Sequence, residues 1–152
     1  MHWGDFSVGV GGVVWRGDKV LLVQRAYNPG KGMWTIPGGY VDQTERTGDA
    51  VCREVAEETG IQTEAVSVIA VRDRPGIRHD IFIVYLLKDL GGIVQPQPEE
   101  VMKAGFFSAD EYRNLPVAGL TMHMIEASRR SGGFTIQQDV QLLSKLAALY
   151  SL

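Results

Sequence analysis

The sequence of 152 residues predicts a single α/β domain, and three observations support this fold class. Apolar residues make up 45% of the chain and charged residues 22%, which is ordinary for one soluble globular domain. Short β-branched segments alternate with loops rich in glycine and proline over the first two thirds of the chain. A helical pattern interrupts these strands, and further helical patterns close the chain. We therefore expect one domain that spans residues 1–152.

The first half of the chain is predicted to form strands before a long helix. Residues 6–15 and 19–25 are rich in valine and leucine, and a turn over residues 16–18 joins them. Residues 27–33 form a loop and residues 34–36 a short strand, which Pro37-Gly38-Gly39 is expected to stop. A helix follows, and Gly60 is expected to end it in the left-handed conformation.

The second half is predicted to contain three more strands and two closing helices. The strands are expected over residues 65–72, 80–88 and 104–107, with loops over residues 73–78 and 90–100. Ser108 is a predicted N-cap for a short turn. The helices are expected near residues 120–130 and 136–150, and the second carries an apolar stripe for core or dimer contacts: Val140, Leu143, Leu146 and Ala147.

Charge and cysteine content exclude several classes of protein. The net charge of −3 offers no general attraction to nucleic acid or to anionic membranes. The start of the chain is not typical of a secretory signal, and no apolar segment approaches the roughly 20 residues of a membrane span. Cys52 is the single cysteine, which excludes disulfide frameworks and cysteine-rich zinc sites. We expect a soluble cytoplasmic protein with no nucleic-acid or membrane partner.

The predicted helix before Gly60 gathers three carboxylates on one face. Each residue advances about 100° around a helix axis, so Glu54, Glu57 and Glu58 share an arc of about 100°. Ala50 lies inside this arc, which is expected to be an open, acidic face. The residues expected to turn toward the core lie beyond it: Val51, Val55, Thr59, Cys52 and Ala56.

Clustered carboxylates destabilise an isolated helix unless a cation offsets their repulsion. Like charges at i,i+4 cost roughly 0.2–0.5 kcal/mol per pair, and the negative end of the helix dipole adds to this cost. Arg53 stands four residues before Glu57 and can orient that carboxylate. A partial set of oxygen ligands suits Mg²⁺ or Mn²⁺. The alternative, that these acids are solvated surface residues, stays open on spacing alone.

The whole segment over residues 39–61 resembles the signature of the Nudix hydrolases. That signature has a glycine, five residues, a glutamate, seven residues and then Arg-Glu-apolar-X-Glu-Glu-X-Gly-apolar. The chain fills it with Gly39, Glu45, the run Arg53-Glu54-Val55-Ala56-Glu57-Glu58-Thr59, Gly60 and Ile61. The wider resemblance extends to about Leu115, and residues 116–152 are predicted to be a helical extension. The resemblance to the Nudix hydrolases implies an α/β/α sandwich with a mixed sheet, in which the loop and helix of the signature carry a metal site.

The resemblance also implies site residues. Glu54, Glu57 and Glu58 would ligate Mg²⁺, with Mn²⁺ as a substitute, and the carbonyl of Gly38 would add an oxygen. A further glutamate lies six residues before an aromatic pair in many relatives. Glu100 stands six residues before Phe106-Phe107 and matches, while its neighbour Glu99 is a competing candidate. The general base stays open between Glu100, Glu54 and Glu58.

Further roles are structural or concern the substrate. Glu45 and Arg53 are expected to pair and to hold the loop on its helix, with Arg53 counted among the catalytic residues. Arginines that flank the loops can bind phosphate, and an aromatic ring can stack on a base or ribose. The substrate-binding candidates are Arg25, Trp34, Gly38, Gly39, Arg74 and His79, with Arg72, Arg78 and Tyr27 as further possibilities. For Trp34 and Tyr27 a core or rim position is the alternative.

The resemblance implies hydrolysis of a nucleoside diphosphate linked to another moiety. Pro75 lies near the position where ADP-ribose pyrophosphatases carry a proline, which favours ADP-ribose or a nucleotide sugar. Two alternatives stay open: removal of pyrophosphate from nucleoside triphosphates, and a non-catalytic nucleotide sensor. Homodimers occur among such relatives, so a homodimer is possible here.

Overall fold

The computed structural model describes residues 4–131, and within them the chain forms seven strands and three helices. The strands are β1 (Phe6–Arg16), β2 (Lys19–Arg25), β3 (Trp34–Thr35), β4 (Gly38–Tyr40), β5 (Gln62–Arg74), β6 (His79–Gly91) and β7 (Val101–Phe107). The helices are α1 (Thr47–Thr59), α2 (Ala109–Tyr112) and α3 (Gly119–Ser131). The helix expected near residues 136–150 and its apolar stripe lie outside the described residues.

The strands form a mixed sheet in the order β3-β2-β1-β6-β5, as the resemblance implies. Only the pairing of β1 with β6 is parallel among the described strands. One edge of β1 changes partner along its length, because β4 pairs with Gly9–Gly11 and β2 pairs with residues 15 and 16. The sheet therefore opens between β4 and β2, beside the loop that leads into α1.

Apolar residues cover both faces of the sheet and produce three layers. On one face α1 packs through Val51 and Val55 against Val10, Leu21 and other residues of the sheet. On the opposite face α2 and α3 pack against the sheet, with Tyr112, Met124 and Ile125 fully or almost fully buried. This arrangement is the α/β/α sandwich expected from the sequence, with the acidic helix as one outer layer.

Strand boundaries differ from the sequence prediction where polar or glycine residues pair. β3 ends at Thr35, before Pro37-Gly38-Gly39 as expected, but Gly38 and Gly39 then begin β4, which was not predicted. β4 lies so close to β1 that a Cβ on Gly38 would be 2.1 Å from the Val10 carbonyl oxygen. The hairpin of β5 and β6 extends beyond its apolar centre, since polar ends such as Arg74 and Asp80 pair with each other. β7 likewise begins at Val101 rather than Ala104.

The helix ends follow their predicted signals. Gly60 has φ of 76° and ends α1 in the left-handed region. Ser108 caps α2, accepting a hydrogen bond from the Glu111 N–H while the Glu111 side chain accepts one from the Ser108 N–H. None of the helices within residues 4–131 is long and apolar enough to cross a membrane.

Candidate active site

Three glutamates meet at the opening in the sheet. Glu54 and Glu58 come from α1 and Glu100 directly precedes β7, and each offers one carboxylate oxygen within 4.8 Å of the other two. We name this group the carboxylate cluster. It contains three of the four carboxylates proposed from the sequence as metal ligands, and the two elements that supply it lie far apart along the chain.

The position of α1 buries one side of its acidic arc, contrary to the open face expected from the sequence. Ala50, Val51, Val55 and Thr59 are buried, and Glu58 projects from within this stripe. The Glu54 side chain is only 13% exposed. The reason is β4, where Gly38 and Gly39 carry no side chain and allow the helix to approach the sheet edge closely.

The β4 backbone contacts two members of the cluster. The N–H of Gly38 donates a hydrogen bond of 3.0 Å to Oε2 of Glu58. A Cβ placed on Gly39 would lie 2.4 Å from the carboxyl carbon of Glu54, so position 39 has no room for a side chain. Both glycines therefore act through the space that they leave for these carboxylates.

The cluster is electrostatically unfavourable without a cation. Burial raises the pKa of Glu58 to about 8, and the charges of Glu54 and Glu100 add to this rise against the opposing hydrogen bond from Gly38. Burial also raises the pKa of Glu54, although its contact with Arg53 acts in the other direction. Oxygen-only donors at this spacing fit a hard divalent ion, which would neutralise the charge that burial makes costly.

Arg53 donates hydrogen bonds to four other residues of the signature segment over residues 39–61. Its guanidinium donates to both oxygens of Glu45, at 2.6 and 3.0 Å, and to the carbonyl oxygen of Tyr40 at 3.2 Å. It also donates to Glu54 at 2.9 Å and to Glu57 at 3.0 Å. The hydrogen bond from Arg53 lowers the pKa of Glu45 to about 2. The expected pairing of Glu45 with Arg53 is therefore present, and it ties the loop to its helix.

Glu57 and Glu99 lie outside the carboxylate cluster. The Glu57 side chain is 49% exposed, and its carboxylate is held by Arg53. The carbonyl oxygen of Glu99 accepts a hydrogen bond from the Tyr27 hydroxyl, whereas the neighbouring residue, Glu100, contributes its carboxylate to the cluster. The geometry thus favours Glu100 over Glu99. Glu57 is joined to the cluster only through Arg53, whose Nη1 donates to both Glu54 and Glu57.

The candidates for substrate binding fall into different places. Arg25 is exposed at the end of β2, where it pairs with Val101 next to Glu100, and its charge lowers the pKa of Glu58. The prediction that Trp34 binds substrate is wrong, because the residue is only 6% exposed and its ring packs edge-on against Phe107 in the core. It therefore cannot present a face to a nucleobase, whereas Tyr27 is 60% exposed.

Arg74 and His79 belong to a separate polar group at the end of the β5–β6 hairpin. Arg74 lies 3.9 Å from Asp80, and the His79 ring stacks on Phe6 and contacts Asp73. These neighbours come from the same hairpin and from the start of β1 rather than from α1. The structure therefore does not bring Arg74 and His79 into contact with the carboxylate cluster.

Sequence reasoning named the Gly38 carbonyl but missed two other main-chain groups of the site. The Gly38 N–H that binds Glu58 and the Tyr40 carbonyl that accepts from Arg53 carry no signal in residue type. The two glycines were the one available hint, because a close backbone approach requires them.

Comparisons with known proteins identify the family. The model of the NUDIX domain matches residues 5–126, which is most of the chain. The chain belongs to the Nudix family. A curated relative of this Nudix chain is the ADP-ribose pyrophosphatase of Methanocaldococcus jannaschii, 36% identical over 113 residues. That alignment covers 72% of the chain and 64% of the relative, so the chain spans less than two thirds of the relative's length.

Solved structures show the same Nudix fold. The MutT NUDIX hydrolase of Burkholderia pseudomallei is 31% identical with a TM-score of 0.71, and the match covers 81% of this chain and 98% of that protein. An ADP-ribose pyrophosphatase from Streptococcus suis is 30% identical with a TM-score of 0.65, covering 85% and 96% respectively. The fold class and the family expected from the sequence are thereby confirmed.

Proposed function

We propose that this Nudix chain is a Mg²⁺-dependent hydrolase that cleaves the pyrophosphate bond of a nucleoside diphosphate linked to another moiety. The observation that carries the proposal is the carboxylate cluster, in which Glu54, Glu58 and Glu100 present oxygens within 4.8 Å of one another. Glu54 and Glu58 lie against the β4 backbone, and within the described residues only Glu54 of the three forms an ion pair with a basic side chain. Such an arrangement suits a site that is completed by a cation.

Mg²⁺ fits the donors present, and Mn²⁺ is a suitable substitute. All the donors are oxygens, and the cluster is open to further oxygens from water and a diphosphate. When bound, the ion supplies charge neutralisation for the diphosphate and makes a coordinated water more acidic. Glu54, Glu58 and Glu100 would hold it, the Gly38 carbonyl is a further candidate ligand, and Glu57 would take part only after release from Arg53.

The other residues of the site orient these groups. Arg53 fixes Glu54 and holds the loop through Glu45, which keeps Gly38 and Gly39 against α1. Arg25 is the cation placed to bind a phosphate oxygen, because its charge already acts on Glu58. Glu100, Glu54 and Glu58 are the candidates for the base that takes a proton from the attacking water.

ADP-ribose or a nucleotide sugar is the substrate class that we favour. Two of the similar proteins carry the name ADP-ribose pyrophosphatase, one with 36% identity and one with a TM-score of 0.65. We place the protein in the cytoplasm because its single cysteine, which is half-buried, suits a reducing compartment. A measurement of its mass in solution tests whether it forms a homodimer.

Product analysis over a panel of nucleotides tests the proposal. The purified chain is incubated with Mg²⁺ and ADP-ribose, NADH, dinucleoside polyphosphates or nucleoside triphosphates, and the Glu58→Gln variant serves as the control. AMP with ribose 5-phosphate from ADP-ribose is the expected result. A nucleoside monophosphate with pyrophosphate from triphosphates would support the alternative substrate class. Binding of nucleotides without hydrolysis of any of them would identify a sensor and overturn the proposal.

A further inference from the structure

The segment that carries Glu100 is fixed to α1 by backbone hydrogen bonds. The N–H of Gln95 donates to the Thr59 carbonyl at 2.8 Å, and the N–H of Gln97 donates to the Glu58 carbonyl at 3.3 Å. These two carbonyls belong to the last turn of α1, where no intrahelical partner is available. The segment over residues 92–100 thus completes the end of the helix whose side chains form the cluster.

Gly60 and Gly92 make this close crossing possible. A Cβ on Gly92 would lie 2.6 Å from the Gly60 carbonyl oxygen, and one on Gly60 would lie 2.8 Å from the Ile93 carbonyl oxygen. Beyond the crossing, the Gln97 carbonyl accepts from the N–H groups of both Glu100 and Val101 and turns the chain into β7. Glu100 therefore lies between the end of α1, to which the segment is bonded, and β7, whose first residue pairs with Arg25 of β2.

Arg16, at the end of β1, contacts the chain on both sides of this segment. Before the segment, its guanidinium donates to both oxygens of Asp89, at 2.5 and 2.9 Å, and Asp89 also accepts from the N–H of Gly91 at 2.8 Å. After the segment, the same guanidinium lies 4.3 Å from the centre of the Phe106 ring on β7. One side chain thus joins the end of β6 to the strand that follows Glu100.

We infer that Arg16 is a positioning residue, which holds the segment over residues 92–100 and thereby keeps Glu100 in the carboxylate cluster. Arg16 lies outside the Nudix signature and contacts no member of the cluster directly, so its effect must pass through Glu100. This inference rests on the proposed function insofar as the cluster is taken to bind a divalent cation. The bidentate contact with Asp89 gives it a geometry that a lysine would not reproduce.

The test compares Arg16→Met with Arg129→Met. Arg129 lies 4.5 Å from the Trp15 ring on the opposite face of β1, so the control removes a similar arginine–aromatic contact far from Glu100. Binding of Mn²⁺ alone is measured by electron paramagnetic resonance, and amide hydrogen exchange is measured over residues 92–100. We expect Arg16→Met to weaken Mn²⁺ binding about tenfold and to speed exchange at Gln95 and Gln97. Arg129→Met should change neither.

A second comparison separates positioning from a general loss of stability. In a Glu100→Gln background, Arg16→Met should cause no further loss of Mn²⁺ affinity, because the carboxylate that it positions is absent. An equal loss in both backgrounds, or unchanged Mn²⁺ affinity in the single variant, would overturn the inference. Because neither readout requires turnover, wild-type protein that binds Mn²⁺ but hydrolyses no nucleotide would refute the proposed function and leave this inference standing.

Discussion

Two groups of acids, one on each side of α1, lie in opposite electrostatic conditions. On the outer side, Arg53 holds Glu45 and Glu57, and the pKa of Glu45 falls to about 2. On the inner side, burial raises the pKa of Glu58 to about 8 beside Glu54 and Glu100. Arg53 forms ion pairs with both outer carboxylates and with Glu54, whereas Glu58 and Glu100 form none with the basic side chains that the structure describes. This difference supports the proposal that the outer group is structural and that the inner group binds the cation.

The largest expected effect comes from Glu58. Glu58→Gln should lower turnover about 10²- to 10³-fold, because it removes the charge of one proposed cation ligand while leaving an oxygen to accept from Gly38. Steady-state hydrolysis of ADP-ribose with Mg²⁺ measures this loss, and circular dichroism checks the fold. Turnover equal to that of the wild type would show that Glu58 holds no cation.

A smaller effect separates Glu100 from Glu99. Glu100→Gln should slow hydrolysis about tenfold or more, because its carboxylate belongs to the cluster. Glu99→Gln should change the rate by about twofold at most, since its main-chain carbonyl, which the substitution keeps, makes its contact with Tyr27. Rates for the two variants measured side by side decide the matter. The opposite ranking would transfer the role to Glu99.

The raised pKa of Glu58 makes the stability of the metal-free protein depend on pH. A carboxyl whose pKa is higher in the folded than in the unfolded state stabilises the fold most below its unfolded value, and this contribution is lost as pH rises. Between about pH 4.5 and pH 8, Glu58 should therefore lower the free energy of unfolding by up to about 1.4 kcal/mol per pH unit. Urea unfolding in a chelator measures the slope.

Two controls sharpen that experiment. Glu58→Gln should remove most of this slope, because the amide does not titrate in this range. Addition of Mg²⁺ should also flatten it, since the cation binds the ionised carboxylates of the folded state. A slope that is the same in the wild type and in Glu58→Gln would show that Glu58 is ionised in the folded protein throughout this range.

The difference between the two sides was only partly predictable from the sequence. Helix geometry and the Nudix signature placed Glu54, Glu57 and Glu58 on one arc, and the i,i+4 spacing of Arg53 and Glu57 predicted their contact. Periodicity could not tell how closely α1 would approach β4, which decides that Glu58 is half-buried and Glu57 exposed. That distance depends on tertiary packing at Gly38 and Gly39.

The same dependence on tertiary packing explains why the prediction for Trp34 was wrong and why the position of Glu100 could not be derived from local sequence. Trp34 has the residue type of a stacking platform, but its neighbours in space, Phe107 and the core around it, are fixed by the pairing of β2 with β3 and β7. The carboxylate of Glu100 was predicted from its spacing to Phe106-Phe107 alone. Its place in the cluster depends on the crossing of residues 92–100 over the end of α1, which no local pattern reveals.

The smallest expected effect belongs to the outer side of α1. Glu57→Gln should change turnover by less than about threefold and the free energy of unfolding by about 0.5 kcal/mol, because it removes one exposed ion pair with Arg53. The Arg53 contacts with Glu45 and Glu54 should remain, so the loop should stay on its helix. Parallel rate and urea-unfolding measurements on Glu57→Gln and Glu58→Gln test the comparison directly. A loss of turnover as large in Glu57→Gln as in Glu58→Gln would mean that Glu57 leaves Arg53 for the cation, and the inner and outer groups would then form one site.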